Sequence, residues 1–261
     1  MKTKVKMKSQ HAYLENPFTI KLVELNESIL KDFHLRNGFN FSANNFHLLN
    51  NTEKYISGVT KLQYNLFHVV EQIHFIKIFL KRINNKNYLQ SNGINELTYI
   101  QYHTEVLSHK VHTILEVMKL LINEVYDLKI TAKECSWNNL IGKLDKNSQP
   151  MRIIDNFFIA FESLIDLRHL NAHRGIYIDS EKDKIEIDFG LSIYEGMERL
   201  GMDLDMEFKK KFPMFLIKDK IKGHRQNRIK FIIRIEETIH SYIKEFLTSI
   251  HPQLIKKLTI I

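Results

Sequence analysis

Five polar side chains are concentrated in a short segment that follows a strongly apolar stretch. They are Arg168, His169, Asn171, His173 and Arg174. An imidazole titrates near neutral pH and can accept or donate a proton during a reaction. A guanidinium keeps its positive charge and can stabilise a group on which negative charge develops. The segment therefore predicts acid–base chemistry on an anionic substrate, centred on Arg168 and His173, with His169, Asn171 and Arg174 as supporting groups.

The spacing of Arg168 and His173 restricts how the two side chains can meet. Residues five apart lie about 140° from one another around a helix, so they converge only if the helix ends or bends between them, or if they meet across two chains. Gly175, where the helical pattern stops, is of the residue type that commonly ends helices. The alternative for Arg168 is a structural role, because an arginine at a helix end often pairs with a neighbouring carboxylate, here Asp166 or Asp179.

Apolar residues at three-and-four spacing predict the helices that position this segment. Long helices are expected over residues 52–83 and 95–128, a short one over 136–144, one that begins at Pro150 and carries the polar segment, and a last one over 225–249. The sequence has no repeat and no glycine-rich linker. We therefore expect a mainly α fold, a single antiparallel helical bundle over residues 51–261, preceded by a basic N-terminal appendage, residues 1–50.

After the helix of the polar segment, the apolar pattern changes from helical to alternating. Ile176 and Ile178 are followed, across the polar stretch 180–183, by Ile185, Ile187 and Phe189. Alternation on both sides of a polar turn is typical of a β-hairpin. The sequence therefore predicts a small β-hairpin insertion over residues 176–189.

The composition is that of a protein with a substantial core and no disulfide framework. The chain has 261 residues, of which 44% are hydrophobic, and a single cysteine, Cys135. One cysteine excludes an intramolecular disulfide and a cysteine-based zinc site, and it favours a reducing compartment. The N-terminal lysines precede no apolar stretch of signal-peptide length, and no uninterrupted apolar run is long enough for a bilayer. We expect a cytoplasmic protein without a membrane partner.

Positive charge is in excess and is unevenly distributed. The formal net charge is +8 and the pI is near 9.3, a balance that favours encounter with polyanions such as RNA. The basic residues concentrate between Lys209 and Arg234. The alternative is a solvated helix face beside a lysine-rich loop. The candidate RNA-binding residues in this region are Lys218, Lys220, Lys222, Arg225 and Arg228.

The second long helix carries another group of residues with potential chemistry. Glu105, His109, His112 and Glu116 share one face at spacings that could hold a divalent metal. The apolar stripe of this helix points elsewhere, so a solvated polar face or part of a subunit contact is the simpler interpretation. We expect no metal and no cofactor.

An arginine, four intervening residues and a histidine at the end of an apolar helix form a distinctive pattern in an all-helical chain. Arg168 and His173 have this spacing, with His169 directly after the arginine and Ala172 before the histidine. The segment resembles the signature motif of the HEPN superfamily. The resemblance covers roughly residues 52–175, including the short connecting element 136–144, and to a lesser degree the last helix.

The resemblance implies a homodimer in which two such motifs face each other. It also implies endoribonuclease activity, which many HEPN proteins have, whereas others are inactive binding modules. In the expected metal-independent reaction, imidazoles transfer the protons, Arg168 stabilises the phosphorane, and a 2′,3′-cyclic phosphate remains. We expect such an enzyme to be a toxin or antiviral (abortive-infection) effector with a possible antitoxin or defence-system partner. The alternatives are a catalytically inactive HEPN dimerisation or RNA-binding module and the histidine–carboxylate metal protein.

Overall fold

The computed structural model describes residues 15–83 and 86–260, and all regular elements within these ranges are helices, with no β-strand. The helices are α1 (Pro17–Phe33), α2 (Asn51–Lys81), α3 (Lys86–Ser91), α4 (Glu96–Val125), α5 (Trp137–Ile141), α6 (Gln149–Arg174), α7 (Ser180–Glu186), α8 (Leu191–Arg199), α9 (Met206–Lys211) and α10 (Met214–Leu258). A 3-10 turn, Phe46–Leu48, precedes α2. The prediction of a mainly α fold is confirmed.

The long helices follow the apolar periodicity of the sequence. Helices α2, α4 and α6 lie close to their predicted ranges, and α5 falls inside the predicted range 136–144. Helix α5 begins where the Ser136 hydroxyl accepts a hydrogen bond from the Asn139 backbone N–H at 3.3 Å, as an N-cap does. Helix α10 is longer than predicted at both ends. Its C-terminal part includes Pro252, a residue type that usually signals the end of a helix.

The predicted β-hairpin over residues 176–189 is wrong. This range contains α7, which is capped by Asp179, whose carboxylate accepts from the Lys182 backbone N–H at 3.1 Å. The side chains of Lys182 and Glu186 pair at 2.6 Å one turn apart, a contact that supports a helix. The alternating isoleucines do not form a buried strand face, because Ile185 is buried whereas Ile176, Ile178 and Ile187 are exposed. The N-cap and the side-chain pair therefore stabilise a helix here, although the isoleucines alternate in the sequence.

The chain divides into two compact units, each built from several segments. The first comprises residues 15–70, 113–162 and 238–260, and the second comprises Glu71–His112, apart from residues 84–85, together with Ser163–Glu237. The predicted division into an appendage and one bundle stays a prediction, and residues 1–14 of the appendage lie outside the described residues. No helix in the described ranges has the length and apolar character needed to cross a membrane.

In the first unit, α1 contributes to the apolar core. Its N-cap Asn16 accepts from the Phe18 backbone N–H at 3.0 Å and donates to the Lys244 carbonyl at 3.2 Å. Gln63 donates to the Thr19 hydroxyl at 2.7 Å. The buried apolar side chains of this unit include Phe18, Leu22, Val59, Leu66, Ile114, Met118, Leu121, Phe157, Phe161, Ile243 and Phe246. The first turns of α1 are therefore integrated in the core of this unit.

The second unit contains the polar segment and has its own core. The buried apolar side chains include Ile73, Ile76, Leu80, Leu97, Ile100, Leu107, Val111, Leu164, Ile165, Ile185, Leu191, Ile217 and Ile232. Glu236 of α10 is buried and pairs with two residues of α2, His74 at 2.7 Å and Lys77. These basic partners lower the pKa of Glu236 against the opposing effect of burial. Apolar packing and the polar contacts of the buried Glu236 carboxylate thus join α2 to α10 within this unit.

Candidate functional site

Helix α6 runs unbroken through the polar segment. It ends at Arg174, and Gly175 follows with φ +64° in the left-handed region that glycine adopts without strain. The Gly175 N–H donates to the Asn171 carbonyl at 3.0 Å. Since the helix neither ends nor breaks between Arg168 and His173, these two residues stay on different sides of α6, about 140° apart.

The imidazoles of His112, His169 and His173 form a cluster, here called the histidine row. His169 and His173 lie one turn apart on α6 and stack, with ring centroids 6.0 Å apart and planes 10° apart. His112 of α4 meets His169 edge to face, at 5.6 Å and 82°. His169 is therefore the central ring, and two helices of the second unit contribute to the row.

Arg168 contacts the histidine row through His169. Its Nη1 lies 3.2 Å from His169 Nδ1. A guanidinium has donors only, so Nδ1 accepts and, in this arrangement, the proton of a neutral His169 is on Nε2. Asp179, the carboxylate considered as a partner for Arg168, pairs instead with Arg228 at 2.7 Å.

The site is open to solvent. The side chains of His169, His173 and Arg174 are exposed, and Arg168 and Asn171 are half-buried. His112 is half-buried on α4. A polymeric substrate can reach such a surface without unfolding of the protein, and the Arg168 guanidinium contacts the central imidazole. The arrangement suits the binding of an anion and the transfer of protons to it.

A buried ionic cluster lies just after the polar segment. Asp179 is 3% exposed and His224 of α10 is 1% exposed. His224 Nε2 lies 3.3 Å from the Asp179 carboxylate, and His224 Nδ1 lies 3.1 Å from that of Glu181. Tyr177 donates its hydroxyl to Asp179 at 3.1 Å. These residues and Arg228 are here called the Asp179 cluster. Nothing in the spacing of the sequence indicated that His224 would meet Asp179.

Mutual pairing offsets the burial of the charges in this cluster. Burial alone would raise the pKa of Asp179 and lower that of His224, because it disfavours both charged forms. Hydrogen bonding to His224 and the charge of Arg228 reverse the first effect, so the pKa of Asp179 lies below its ordinary value. The adjacent carboxylates of Asp179 and Glu181 reverse the second, so the pKa of His224 is raised. Both ring nitrogens of His224 face carboxylates, which fits the doubly protonated, charged imidazolium.

The candidate RNA-binding residues lie on α10 and differ in their surroundings. Arg225 pairs with Glu96 at 2.9 Å, and the charge of Arg228 is engaged by Asp179. The Lys220 ammonium lies 5.4 Å from the centre of the Phe189 ring. Within the described residues, Lys218 and Lys222 have no ion-pair partner. These two lysines are therefore the members of the set whose charge is most available to a phosphate.

A broad cavity of about 830 Å³ adjoins these lysines in the second unit. Its basic lining residues outnumber its acidic ones, Lys86, Arg199, Lys218, Lys222 and Arg225 against Glu96, Glu195 and Glu198. Glu96 begins α4, and His112 lies sixteen residues further along the same helix. At the rise of an α-helix this separation is about 24 Å. A single nucleotide cannot occupy both places, whereas a strand of several nucleotides can.

The alternative metal site receives no support from the geometry. Within residues 15–83 and 86–260, no three His, Cys, Asp or Glu side chains are grouped so that they could hold a metal ion. Glu105 accepts a hydrogen bond from Gln101 at 2.8 Å, and His112 contacts His169. Of this group, His112 belongs to the histidine row.

Comparison with known proteins gives one positive result. The family model described as HEPN_Cthe2314-like HEPN matches residues 58–244. No curated protein and no solved structure gives a match. The matched range covers most of the chain and contains α4, α6, the polar segment and most of α10. With its helical fold and its arginine–histidine motif at the end of α6, the protein belongs to the HEPN superfamily.

Proposed function

We propose that this protein is a metal-independent endoribonuclease in which Arg168 and His173 are catalytic residues. The observation that carries the proposal is the motif of a HEPN protein at an open helix end, where the Arg168 guanidinium contacts His169 and the His169 ring stacks on that of His173. HEPN membership supports an RNase or an RNA-binding role. His169, Asn171 and Arg174 are the supporting groups.

The reaction is an internal transesterification of RNA. One imidazole takes the proton of a ribose 2′-hydroxyl, and the 2′-oxygen attacks the adjacent phosphorus. The bond from phosphorus to the 5′-oxygen breaks, and a second imidazole gives that oxygen a proton. Arg168 stabilises the negative charge on the phosphorane oxygens. The products are a 2′,3′-cyclic phosphate and a 5′-hydroxyl, and DNA, which lacks the 2′-hydroxyl, is inert.

The substrate strand extends from the histidine row to the basic region of α10. Lys218 and Lys222, which have no ion-pair partner among the described residues, supply phosphate contacts, and Lys220 and Arg225 add positive charge nearby. Arg228 acts on the strand only indirectly, because its side chain pairs with Asp179. A strand held in this way follows the basic residues through its backbone, which predicts strong salt dependence and little sequence preference.

A homodimer in the cytoplasm is part of the proposal. HEPN domains commonly dimerise, and a two-fold arrangement would bring two motifs together. The corresponding cellular role is that of a toxin or antiviral effector held in check by an antitoxin or a defence-system partner. Light scattering at micromolar concentration tests the dimer, and a monomer at every concentration would contradict it.

A second candidate function is RNA binding without catalysis. Arg168 and His173 do not converge within one chain, and Nδ1 of His169 is occupied by Arg168. A motif in this state can bind phosphate through its positive charge without moving a proton. In that case the basic region and Arg168 would act together as a binding surface, and His173 would contribute little.

Cleavage of end-labelled RNA by the purified protein distinguishes the two functions. We expect cleavage with and without EDTA, products that end in a 2′,3′-cyclic phosphate, and no cleavage where the ribose at the target site is 2′-deoxy. His173→Ala should lower the cleavage rate by about 10²–10⁴-fold, the usual contribution of a proton-transfer group. The matched control is His34→Ala at an exposed histidine of the first unit. Equal cleavage by wild type and His173→Ala would reject His173 as catalytic, and RNA binding without cleavage would favour the second candidate.

A further inference from the structure

His112 lies outside the arginine–histidine motif but inside the histidine row. It belongs to α4, whereas the motif belongs to α6, and its ring meets that of His169 at 5.6 Å. We infer that His112 is a third catalytic residue, which supplies the second proton-transfer imidazole from the same protomer as His173. This inference rests on the endoribonuclease function proposed above.

The chemistry requires two proton-transfer groups on opposite sides of the phosphate. The attacking 2′-oxygen and the leaving 5′-oxygen are in line through phosphorus, so the base and the acid must flank the reacting group. Each of these groups must come within hydrogen-bond distance, about 2.6–3.2 Å, of the oxygen that it serves. His112 and His173 both lie next to His169, with ring centroids 5.6 Å and 6.0 Å from it, and these two imidazoles are the candidates for the base and the acid.

His169 is poorly suited to be the second proton-transfer group. Its Nδ1 accepts from Arg168 at 3.2 Å, and uptake of a proton there would remove this hydrogen bond and place two positive charges side by side. Its position between the outer rings suits a different task, the orientation of the Arg168 guanidinium toward the phosphorane. The row then has an imidazole at each end and an anion-binding pair, Arg168 and His169, in the middle.

The substitution that tests His112 is one that keeps its packing. Phenylalanine preserves an aromatic edge-to-face contact with His169 but cannot transfer a proton. His112→Phe should lower kcat by about 10²–10⁴-fold with KM nearly unchanged. His109→Phe, one turn earlier on α4, is the matched control and should leave kcat unchanged. If circular dichroism shows that His112→Phe is unfolded, His112→Asn replaces it.

A modified substrate separates proton transfer from packing. RNA with sulfur in place of the scissile 5′-oxygen has a thiolate leaving group that departs without a proton. On this substrate, one of the variants His112→Phe and His173→Ala, the one that lacks the acid, should regain cleavage, whereas the variant that lacks the base should stay slow. Recovery of both variants, or of neither, would overturn the assignment of His112 as a proton-transfer group.

Mixed dimers test whether the two imidazoles come from one protomer. A dimer of one wild-type protomer and one protomer with both His112→Phe and His173→Ala retains a complete set in cis and should keep about half of the wild-type rate. If the second imidazole comes from the partner, this dimer should be nearly inactive.

The outcomes of these experiments also separate the two proposals. Wild-type cleavage with an inactive His173→Ala and a fully active His112→Phe would overturn the role of His112 and leave the endoribonuclease intact. A wild type that binds RNA but never cleaves it would overturn both.

Discussion

Replacing Asp179 by alanine should lower the free energy of unfolding by about 3–5 kcal/mol, the usual cost of removing one partner from a buried ion pair. The carboxylate is 3% exposed and faces two basic groups, His224 Nε2 at 3.3 Å and Arg228 Nη2 at 2.7 Å. Without it, the imidazolium of His224, itself 1% exposed, keeps only Glu181 as a counter-charge. The substitution therefore leaves positive charge buried and only partly compensated.

The N-cap of α7 is lost in the same substitution. The Lys182 backbone N–H, which donates to Asp179 at 3.1 Å, would have no side-chain acceptor, and such a loss costs about 1 kcal/mol. Asparagine retains an oxygen for the cap but removes the charge. The difference between Asp179→Ala and Asp179→Asn therefore isolates the contribution of the cap, whereas Asp179→Asn alone reports the loss of the ion pairs.

Urea unfolding followed by circular dichroism measures these effects. Asp188→Ala removes the same charge from an exposed turn position close to α7 and should be nearly neutral. The expected loss for Asp179→Ala corresponds to a fall in Tm on the order of 10 °C for a chain of this size. A free energy of unfolding within about 0.5 kcal/mol of the Asp188→Ala control, the usual range of surface substitutions, would show that the cluster is not a buried ion-pair network.

Three further predictions concern the cluster, the end of α6 and the basic region. The pKa of His224 is raised in the folded protein. Its contribution to the free energy of unfolding is therefore complete below the ordinary imidazole pKa of about 6.5 and is lost as the pH rises through the pKa of the folded state. Urea unfolding at a series of pH values should show this loss in wild type and not in His224→Gln. Gly175→Ala should lower the free energy of unfolding by about 1–2 kcal/mol because φ is +64°, although an added Cβ would contact nothing within 4 Å. Gly175→Asn should lower it less. Equal stability of wild type and Gly175→Ala in urea would contradict backbone strain at this position. Replacing Lys218 and Lys222 by alanine should reduce the slope of log affinity against log salt by about 1.4 for single-stranded RNA. It should not change the cleavage of a dinucleotide, which cannot reach both the histidine row and the basic region of α10. An unchanged slope in filter binding would exclude both lysines as phosphate contacts.

Apolar periodicity was sufficient to predict the long helices, because a side chain every three or four residues is what an amphipathic helix requires. The same reasoning failed at residues 176–189, where the alternation of isoleucines suggested a hairpin. There the decisive interactions are polar and local: the cap by Asp179 and the pair of Lys182 with Glu186. A stretch this short is compatible with both a helical and an alternating apolar pattern, and the N-cap and the side-chain pair stabilise the helix.

The candidate site was only partly predictable for a different reason. Arg168, His169 and His173 are close in sequence, so their types and spacing were informative. His112 reaches the site from α4 and could not be paired with His169 without knowledge of how α4 and α6 pack. The pairing of Asp179 with His224 and Arg228 was unpredictable for the same reason, because these residues lie on segments far apart in the sequence. Contacts between distant segments depend on helix rotation and register, which periodicity leaves undetermined.

The Asp179 cluster also bears on the geometry of the histidine row. Chain direction changes at Gly175, and four residues later Asp179 is bound to His224 and Arg228 of α10. Between them, Tyr177 donates to Asp179, and Arg225 of α10 pairs with Glu96 of α4 at 2.9 Å. The chain that leaves α6 is thus fixed to α10, which in turn pairs with α4, the helix that carries His112. The proposed proton transfer by His112 and His173 would require their relative position to be held within a fraction of an ångström. Directional polar bonds meet that requirement better than apolar packing alone, because a shift of the segment after α6 relative to α10 would break them.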